Sequence, residues 1–333
     1  MTRIRYCACI VLLFAPLAAA QSYVVTDLGI ANGGGRAVNA QGDVLADNGL
    51  LAFLWSPKGS VNLFPLPGGD TTVAGGINAQ GEISGRSAIG YGYHAVLWVN
   101  GEVQDLGTLP GGFLSWATSI NAAGEVAGAS DGSTFQPHAM IWSKALGMQN
   151  LGTFAGGSYS VAFGINRREQ VIGYSDVADG ASYAFIWSSA SGMHELPSLP
   201  GGGGSSGNAI NDFGQVAGGS ECGAGCIHAV LWNRTPGSIQ DLGTLSPSAF
   251  SSAYGINNKL QVVGSVTGSS FPHAFVWSST AGMLDLNNLI PQNSGWLLEY
   301  AFAINDNGQI TGQGVFNGEI HAFLLTPDTT GSR

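Results

Sequence analysis

One ten-residue segment, GINAQGEISG at residues 76–85, returns with small changes seven times along the chain. Each copy centres on an asparagine that follows Val or Ile, and successive copies lie 39 to 48 residues apart. The seven asparagines are Asn39, Asn78, Asn121, Asn166, Asn211, Asn257 and Asn305. Self-similarity at this period is typical of a fold built from stacked units, in which each unit buries its apolar face against its neighbours.

Two further landmarks divide each unit into four short strands, which we label A to D. Strand A ends at the asparagine and strand B follows it. Strand C is a segment such as HAVLW at residues 94–98, whose apolar residues on both faces are typical of a strand buried between two layers. Strand D ends in DLG or a variant. Four strands at this spacing predict an all-β fold, a seven-bladed β-propeller of four-stranded blades; a β-solenoid is the alternative, but its coils are usually much shorter.

The two ends of the repeat array complement each other. The last unit has strands A, B and C but stops after Leu325, whereas YVVTDLG at residues 23–29 is a strand D that no A, B or C precedes. We therefore expect the N-terminal strand to complete the last blade, which would remove the open seam of the ring.

The repeated segment also contains a turn. The asparagine opens it with its side chain, and Gly81 is expected to adopt the left-handed conformation that glycine tolerates best. Two copies have Glu169 and Leu260 at this position. We expect their turns to be built differently or to be strained.

The first twenty residues are typical of a secretory leader. Arg3 and Arg5 precede an apolar stretch, and the small residues of a cleavage site end at Ala20. The predicted divisions are a signal peptide at 1–20, the propeller at 21–326 and a short polar tail at 327–333. No later segment is apolar over about eighteen residues, so we expect no membrane span. The leader predicts secretion to the periplasm or outside the cell. We also expect a monomer.

The charge of the chain argues against several kinds of partner. It contains 11 Lys and Arg against 21 Asp and Glu, which gives a net charge of −10 at pH 7. Such a chain lacks the basic surface that binds nucleic-acid phosphates or anionic lipid. The 52 glycines and 44% hydrophobic residues suit a β-rich extracellular protein with many turns. We therefore expect no nucleic-acid partner.

The units GINAQGEISG…HAVLWVNGEVQDLGTLPGG and GINNKLQVVG…HAFVWSSTAGMLDLN resemble the extracellular HAF repeat family, named after the triplet seen at residues 273–275 and 321–323. The resemblance covers residues 23–325 and implies a secreted bacterial repeat protein. It carries over no catalytic or ligand-binding residue. The first unit has Leu51 in place of the histidine and the fourth has Tyr183, so we expect no histidine function common to all blades.

The histidines of strand C are the first candidates for metal ligands. Equivalent positions on different blades point to different gaps between blades rather than to one centre. We therefore expect each histidine to form a hydrogen bond from strand C to a neighbouring loop or blade. The five are His94, His138, His228, His273 and His321.

Two cysteines, Cys222 and Cys226, precede His228 in the fifth unit. The three side chains together could supply three zinc ligands. The oxidising compartment of a secreted protein instead favours a disulfide, which would pin the loop between strands B and C. We predict this disulfide, no metal site and no cofactor.

Catalytic motifs give little support to an enzyme. Residues 128–132 and 203–207 match the G-x-S-x-G pattern, but neither lies between a buried strand and a helix, as a nucleophile elbow requires. A chain rich in Gly and Ser produces such matches by chance. No Walker loop, HExxH or EF-hand spacing is present. We expect a protein that is not an enzyme.

The loops that do not repeat are the better candidates for function. In a propeller with this strand order, the B–C and D–A loops share one face. Aromatic rings beside carboxylates offer a sugar or a basic peptide both stacking area and acceptors; the alternative is that they are packing aromatics and solvated loop acids. The candidate residues on this face are Trp116, Asp131, Tyr159, Asp176, Asp179 and Glu221.

We therefore expect a recognition or scaffold module whose loop face binds a glycan or an extracellular protein. Two alternatives are a purely architectural envelope or matrix protein and a glycan-active hydrolase or lyase. Propellers host all three, so the fold does not choose among them.

Overall fold

The computed structural model describes residues 21–223, 225–233, 237–247, 249–268 and 271–329; the predicted signal peptide lies outside them. The described residues form seven four-stranded antiparallel sheets. The first strand of each sheet contacts the first strands of both neighbouring sheets, and the last sheet contacts the first, which closes a ring. The predicted seven-bladed β-propeller is therefore confirmed.

The chain enters through β1 (Tyr23–Ala31) and then forms the blades in sequence. Blade 1 contains β2 (Gly34–Val38), β3 (Val44–Asp47), β4 (Ala52–Ser56) and β5 (Gly59–Leu63). Blade 2 contains β6 (Thr72–Ile77), β7 (Ile83–Ile89), β8 (Gly92–Val99) and β9 (Glu102–Asp105). Blade 3 contains β10 (Ser115–Ile120), β11 (Val126–Ser130), β12 (His138–Ser143) and β13 (Gly147–Gly152). Blade 4 contains β14 (Ser160–Ile165), β15 (Val171–Asp176), β16 (Ser182–Ser188) and β17 (Gly192–Glu195).

The later blades follow the same order. Blade 5 contains β18 (Ser205–Ile210), β19 (Val216–Glu221), β20 (Ile227–Trp232) and β21 (Ile239–Gly243). Blade 6 contains β22 (Phe250–Ile256), β23 (Val262–Thr267), β24 (His273–Ser278) and β25 (Gly282–Asp285), with a 3-10 turn at Leu286–Asn288. Blade 7 contains β26 (Trp296–Ile304), β27 (Ile310–Phe316) and β28 (Glu319–Pro327). In the part of the chain described here, no helix has the length and apolarity that a bilayer span needs.

The N-terminal strand completes the last blade, as predicted. The strand order of blade 7 is β26, β27, β28, β1, and β1 pairs antiparallel with β28 from Tyr23 opposite Pro327 onwards. Beyond the paired strands, the N–H of Asp328 donates to the carbonyl of Ser22 at 2.8 Å. The two ends of the described chain are therefore joined by hydrogen bonds, and the ring has no open seam.

The hydrophobic core is divided into layers between the blades. The buried apolar side chains of the described residues form seven clusters, and each cluster draws on two adjacent blades. Strand C supplies the largest of them: Trp98, Trp232, Phe185, Phe275 and Phe323 are all less than 2% exposed. The apolar pattern on both faces of strand C thus reflects burial between two neighbouring sheets.

The repeated asparagines form a belt around one end of the axis, and each is buried. The Oδ1 atom of Asn121 accepts the N–H groups of Ala123 and Glu125 at 3.0 Å and so closes the A–B turn. Its Nδ2 atom donates to the carbonyl of Asn166 on the next blade at 3.1 Å. Six of the seven asparagines make this contact to the next blade, at 2.8–3.2 Å. The repeated residue is therefore both a turn former and a bridge between blades.

The two turns without glycine are built like the others. Glu169 and Leu260 have φ angles of 58° and 60°, in the same left-handed region as Gly81 at 81°. Both also keep the hydrogen bond of the turn, from their N–H to the asparagine carbonyl three residues earlier, at 3.2 Å. Of the two expected outcomes, these turns are therefore the strained one, since a residue other than glycine in the left-handed region costs of order 1–3 kcal/mol of conformational energy.

Replacing Glu169 by glycine should stabilise the propeller by about 1 kcal/mol, because it removes this strain from an exposed position. Equilibrium denaturation of a protein comprising residues 21–333 measures the change. The matched control is Gly81→Ala, whose added methyl group meets no atom within 4 Å and therefore introduces backbone strain alone. It should destabilise by a similar amount. A Glu169→Gly variant less stable than the wild type would contradict this account.

Candidate functional site

Each innermost strand carries a β-bulge three residues before its asparagine. In blade 3, Ala117 pairs with Gly128 and Ser119 with Ala127, so Thr118 has no partner on β11. The same register shift occurs in every blade. The residues in the bulges are Arg36, Gly75, Thr118, Phe163, Asn208, Tyr254 and Phe302. A bulge re-aims a side chain, and these seven positions do not follow the repeat.

In six of the seven blades a glycine on strand B makes room for the bulge; in blade 1 the equivalent residue is Ala46. A Cβ atom on Gly128 would overlap the carbonyl oxygen of Trp116, and one on Gly173 would overlap that of Val161. In blade 2 the equivalent residue is Gly85, the last residue of the repeated segment GINAQGEISG. The glycine that ends the segment therefore accompanies the bulge.

The bulge residues line a cavity of about 550 Å³ on the propeller axis. Strand A runs from the D–A loop to the A–B turn, so residues before the asparagine lie towards the face formed by the B–C and D–A loops, which we call the loop face. Trp116 of β10 also lines this cavity. At the opposite end, which we call the hairpin face, the asparagine belt lines a second axial cavity of about 470 Å³. One end of the axis is thus repetitive and the other is not.

Aromatic rings form one wall of the loop-face cavity. The rings of Tyr254 and Phe302 lie 5.7 Å apart, and Phe302 stacks on Tyr300 at 5.7 Å with an interplanar angle of 3°. The guanidinium of Arg36 lies 5.1 Å from the centre of the Phe302 ring, a cation–π contact. Tyr254 and Phe302 remain partly exposed. This wall therefore combines ring area with fixed geometry.

Two arginines line the cavity, and their surroundings differ. Arg36 forms a bidentate pair with the buried carboxylate of Asp47, at 2.9 and 3.2 Å. Arg86 lies over the ring of Tyr93 at 4.7 Å, and that ring meets Trp116 edge-on at 6.0 Å. Among the described residues, no carboxylate lies within ion-pair distance of Arg86. Arg86 is therefore the cation of this cavity that a ligand can use.

Two bulge residues have polar side chains that connect neighbouring blades, the hydroxyl of Thr118 and the amide of Asn208. Thr118 donates to the carbonyl of Ala162 at 2.9 Å, and Asn208 donates to that of Ala253 at 2.8 Å. These bonds fix the rotamers of both side chains.

The predicted aromatic residues both belong to this end of the axis. Trp116 lines the cavity directly. Tyr159 lies 5.9 Å from Tyr174, whose ring lies 5.6 Å from the bulge residue Phe163. Burial, followed by a hydrogen bond to Tyr159, raises the pKa of Tyr174 to about 12, so this phenol stays neutral at physiological pH.

The predicted loop acids accept hydrogen bonds from main-chain N–H groups of nearby loops. The Oδ1 atom of Asp131 accepts the N–H groups of Phe113 and Leu114 at 2.7 Å. Asp176 accepts those of Ser158 and Tyr159 at 2.8 Å. In both blades the carboxylate therefore anchors the D–A loop to the end of strand B.

The other two acids behave in the same way. Glu221 accepts the N–H of Gly203 at 3.1 Å, and Asp179 closes a local turn to the N–H of Ala181 at 3.0 Å. The four acids lie on three B–C loops, with Asp131 in blade 3, Asp176 and Asp179 in blade 4 and Glu221 in blade 5, and none of them lines the axial cavity. Of the six predicted residues, only Trp116 therefore lines this cavity, while Tyr159 reaches it through contacts with Tyr174 and Phe163.

The strand C histidines bond within their own blade, which differs from the predicted contact with a neighbouring loop or blade. The Nδ1 atom of His94 lies 2.9 Å from the carboxylate of Asp105 on strand D. In blade 7 the partner of His321 is Asp27 of β1, at 2.9 Å, so the pair also secures ring closure. The remaining pairs are His138 with Asn150, His228 with Asp241 and His273 with Asp285.

One residue that the sequence analysis did not single out is Glu299. In blades 2 to 6, the sixth residue before the asparagine is Ser or Thr, which accepts an N–H from strand C of the preceding blade; Ala95 to Ser115, at 2.8 Å, is one example. In blade 7 this position holds Glu299, which is buried, and burial raises its pKa. The pKa of Tyr300 is also raised, mainly by burial and to a smaller extent by electrostatic repulsion from Tyr254 and Glu299. A glutamate at a position where five other blades have Ser or Thr is the feature of the sequence that could have identified this residue.

A disulfide joins Cys222 and Cys226, as predicted, with a Cα–Cα distance of 5.4 Å. It spans the loop between β19 and β20. No other blade has cysteines at this place.

Comparison with known proteins supports the fold. No protein-family model matches the chain, and neither does any curated protein. Among solved structures, the β-propeller domain of the trilobed protease from Pyrococcus furiosus is 7% identical, with a TM-score of 0.57 over 93% of this chain and 94% of that one. A puromycin-hydrolyzing peptidase of Mycobacterium tuberculosis is 10% identical, with a TM-score of 0.58 over 93% of this chain.

TolB from Acinetobacter baumannii is 11% identical, with a TM-score of 0.50 over 79% of this chain. The chain spans 62% of the TolB structure and 52% of the mycobacterial peptidase. At these identities the likeness concerns the propeller fold alone.

Glu299→Gln should stabilise the protein at pH 8 and have a smaller effect at pH 4. The pKa of Glu299 is higher in the folded than in the unfolded state. Ionisation therefore lowers the free energy of unfolding as the pH rises through the unfolded and then the folded pKa. Glutamine keeps the neutral form at every pH. Denaturation at both pH values measures the difference.

The control for this prediction is Glu102→Gln, on the exposed outer strand of blade 2, which should change stability little at either pH. A Glu299→Gln variant that loses stability equally at pH 4 and pH 8 would show that the carboxylate is needed for a hydrogen bond.

Proposed function

We propose that this protein is a secreted, monomeric, non-enzymatic recognition module of the extracellular HAF repeat family, which binds a glycan at the loop-face end of its axis. The observation that carries the proposal is the ring of seven bulges. Each bulge turns a residue outside the repeat towards one common cavity, whereas the repeated side chains are engaged in bonds within or between blades.

The composition of the cavity suits a sugar ring. Partly exposed faces of Trp116, Tyr254 and Phe302 offer stacking area, which sugar C–H groups use. Arg86 supplies donors for hydroxyl or carboxylate oxygens. A volume of about 550 Å³ lies within the range of ligand pockets. Fixed rings and bonded bulge residues limit the ordering cost of binding.

Truncating the aromatic residues tests this proposal. The mature protein is screened on a glycan array, and affinities for the glycans it binds are measured by calorimetry. Trp116→Ala and Phe302→Ala should each weaken binding by about tenfold, the loss expected for one stacking contact of about 1.4 kcal/mol. Thermal melts check that both variants remain folded.

The matched control is Phe213→Ala, an aromatic residue of the A–B turn of blade 5 on the hairpin face, which should leave affinity unchanged. Affinity that survives both cavity changes would rule out the axial site. If no glycan or extracellular protein binds the wild type, the architectural alternative is favoured. Turnover of a bound glycan would favour the enzyme.

A further inference from the structure

Three potential metal ligands converge on the loop of blade 5 that carries the disulfide. The ligand atoms of Cys222, Cys226 and His228 all lie within 4.8 Å of one another. All three side chains are partly exposed, so an ion in solution can reach them. None of the three lines the axial cavity, and this cluster is therefore independent of the proposed glycan site.

The loop backbone holds the two sulfur atoms together. The N–H of Cys222 donates to the carbonyl of Cys226 at 3.2 Å, and the N–H of Cys226 donates to that of Gly223 at 3.1 Å. Gly223 and Gly225 have φ angles of 73° and 78°, a conformation that other residues adopt only with strain. These bonds do not involve the sulfur atoms, so the cysteines are brought together by the backbone as well as by the disulfide.

The histidine of the cluster is already oriented. The Nδ1 atom of His228 lies 2.8 and 3.0 Å from the two carboxylate oxygens of Asp241, which leaves Nε2 as its free ring nitrogen. A carboxylate behind a histidine fixes its tautomer and raises its basicity in metal sites. Blade 6 has an equivalent pair, His273 with Asp285, but no cysteines. Blade 5 thus adds two sulfur ligands to an arrangement that other blades use only for structure.

We propose that Cys222, Cys226 and His228 form a redox-gated site for a thiophilic d10 ion, Zn(II) or Cu(I). In the oxidised protein the disulfide occupies both sulfur atoms and the site is closed. A dithiol reductant transfers two electrons and two protons to the disulfide, is itself oxidised to a disulfide, and leaves two thiols. On binding, each thiol releases its proton, and two thiolates and one neutral imidazole bind the ion.

Metal titration of the mature protein tests this site. The protein is reduced with a phosphine under anaerobic conditions and titrated with Zn²⁺ in competition with a chromophoric chelator; a parallel titration uses Cu(I) and a Cu(I)-specific chelator. The reduced protein should bind one ion per chain, and the oxidised protein should bind none. Binding of either ion in this pattern supports the proposal and identifies the metal.

Variants distinguish this site from two cysteines acting alone. His228→Asn should weaken binding by about tenfold or more, and Asp241→Asn should weaken it by about tenfold through the orientation of His228. His273→Asn, the same change one blade later, should leave affinity unchanged. Circular dichroism of each variant confirms the fold before titration.

Three results would overturn the proposal. The first is that the reduced protein binds neither ion at one equivalent. The second is that His228→Asn binds as tightly as the wild type, and the third is that the oxidised protein binds as well as the reduced one.

Discussion

Buried asparagine amides hold the seven blades at a fixed distance around the axis. Each Oδ1 atom accepts two N–H groups of its own turn, and in six blades Nδ2 reaches the main chain of the next blade. A shorter side chain could not do both, and the isosteric aspartate would lack the donor. Because the amide is buried, its loss would leave several polar groups unpaired, each at a cost of about 1–3 kcal/mol. The belt therefore ties local turn geometry to the closure of the whole ring.

Because the asparagine belt holds the blades together at the hairpin face, the residues at the loop face can differ from blade to blade. The bulges lie three residues before the asparagines, so the belt determines where each bulge residue meets the axis. Six residue types, from glycine to arginine, can occupy these seven positions because none of them contributes to the belt. The loop acids work in the same direction: Asp131 and Asp176 hold the loops that lead into strand A, and so support the cavity without lining it. Structural and variable positions alternate along one strand.

The sequence predicted the blades, their order and the closing strand because those features depend on period, and period is visible in a single chain. It did not predict the bulges, because one unpaired residue such as Thr118 changes pairing without changing the apolar pattern. It offered the loop acids as ligand-binding residues, with solvated loop acids as the alternative. A carboxylate that accepts backbone N–H groups, such as Asp131, looks in sequence like one that faces solvent. For Glu169, the sequence left two options, and the hydrogen bond of the turn selected the strained one.

The closing strand also sets the order in which the fold can be completed. β1 and β28 are neighbours in blade 7 but lie at opposite ends of the described chain, so their contacts have nearly the greatest sequence separation the fold allows. Blades 1 to 6 each consist of consecutive strands and can form from local contacts. β1, by contrast, has no partner until β28 (Glu319–Pro327) has been synthesised. Contacts of such long range make folding slow. The earliest strand in the sequence is thus the last to pair, and until then it presents an open edge to any other strand that can reach it.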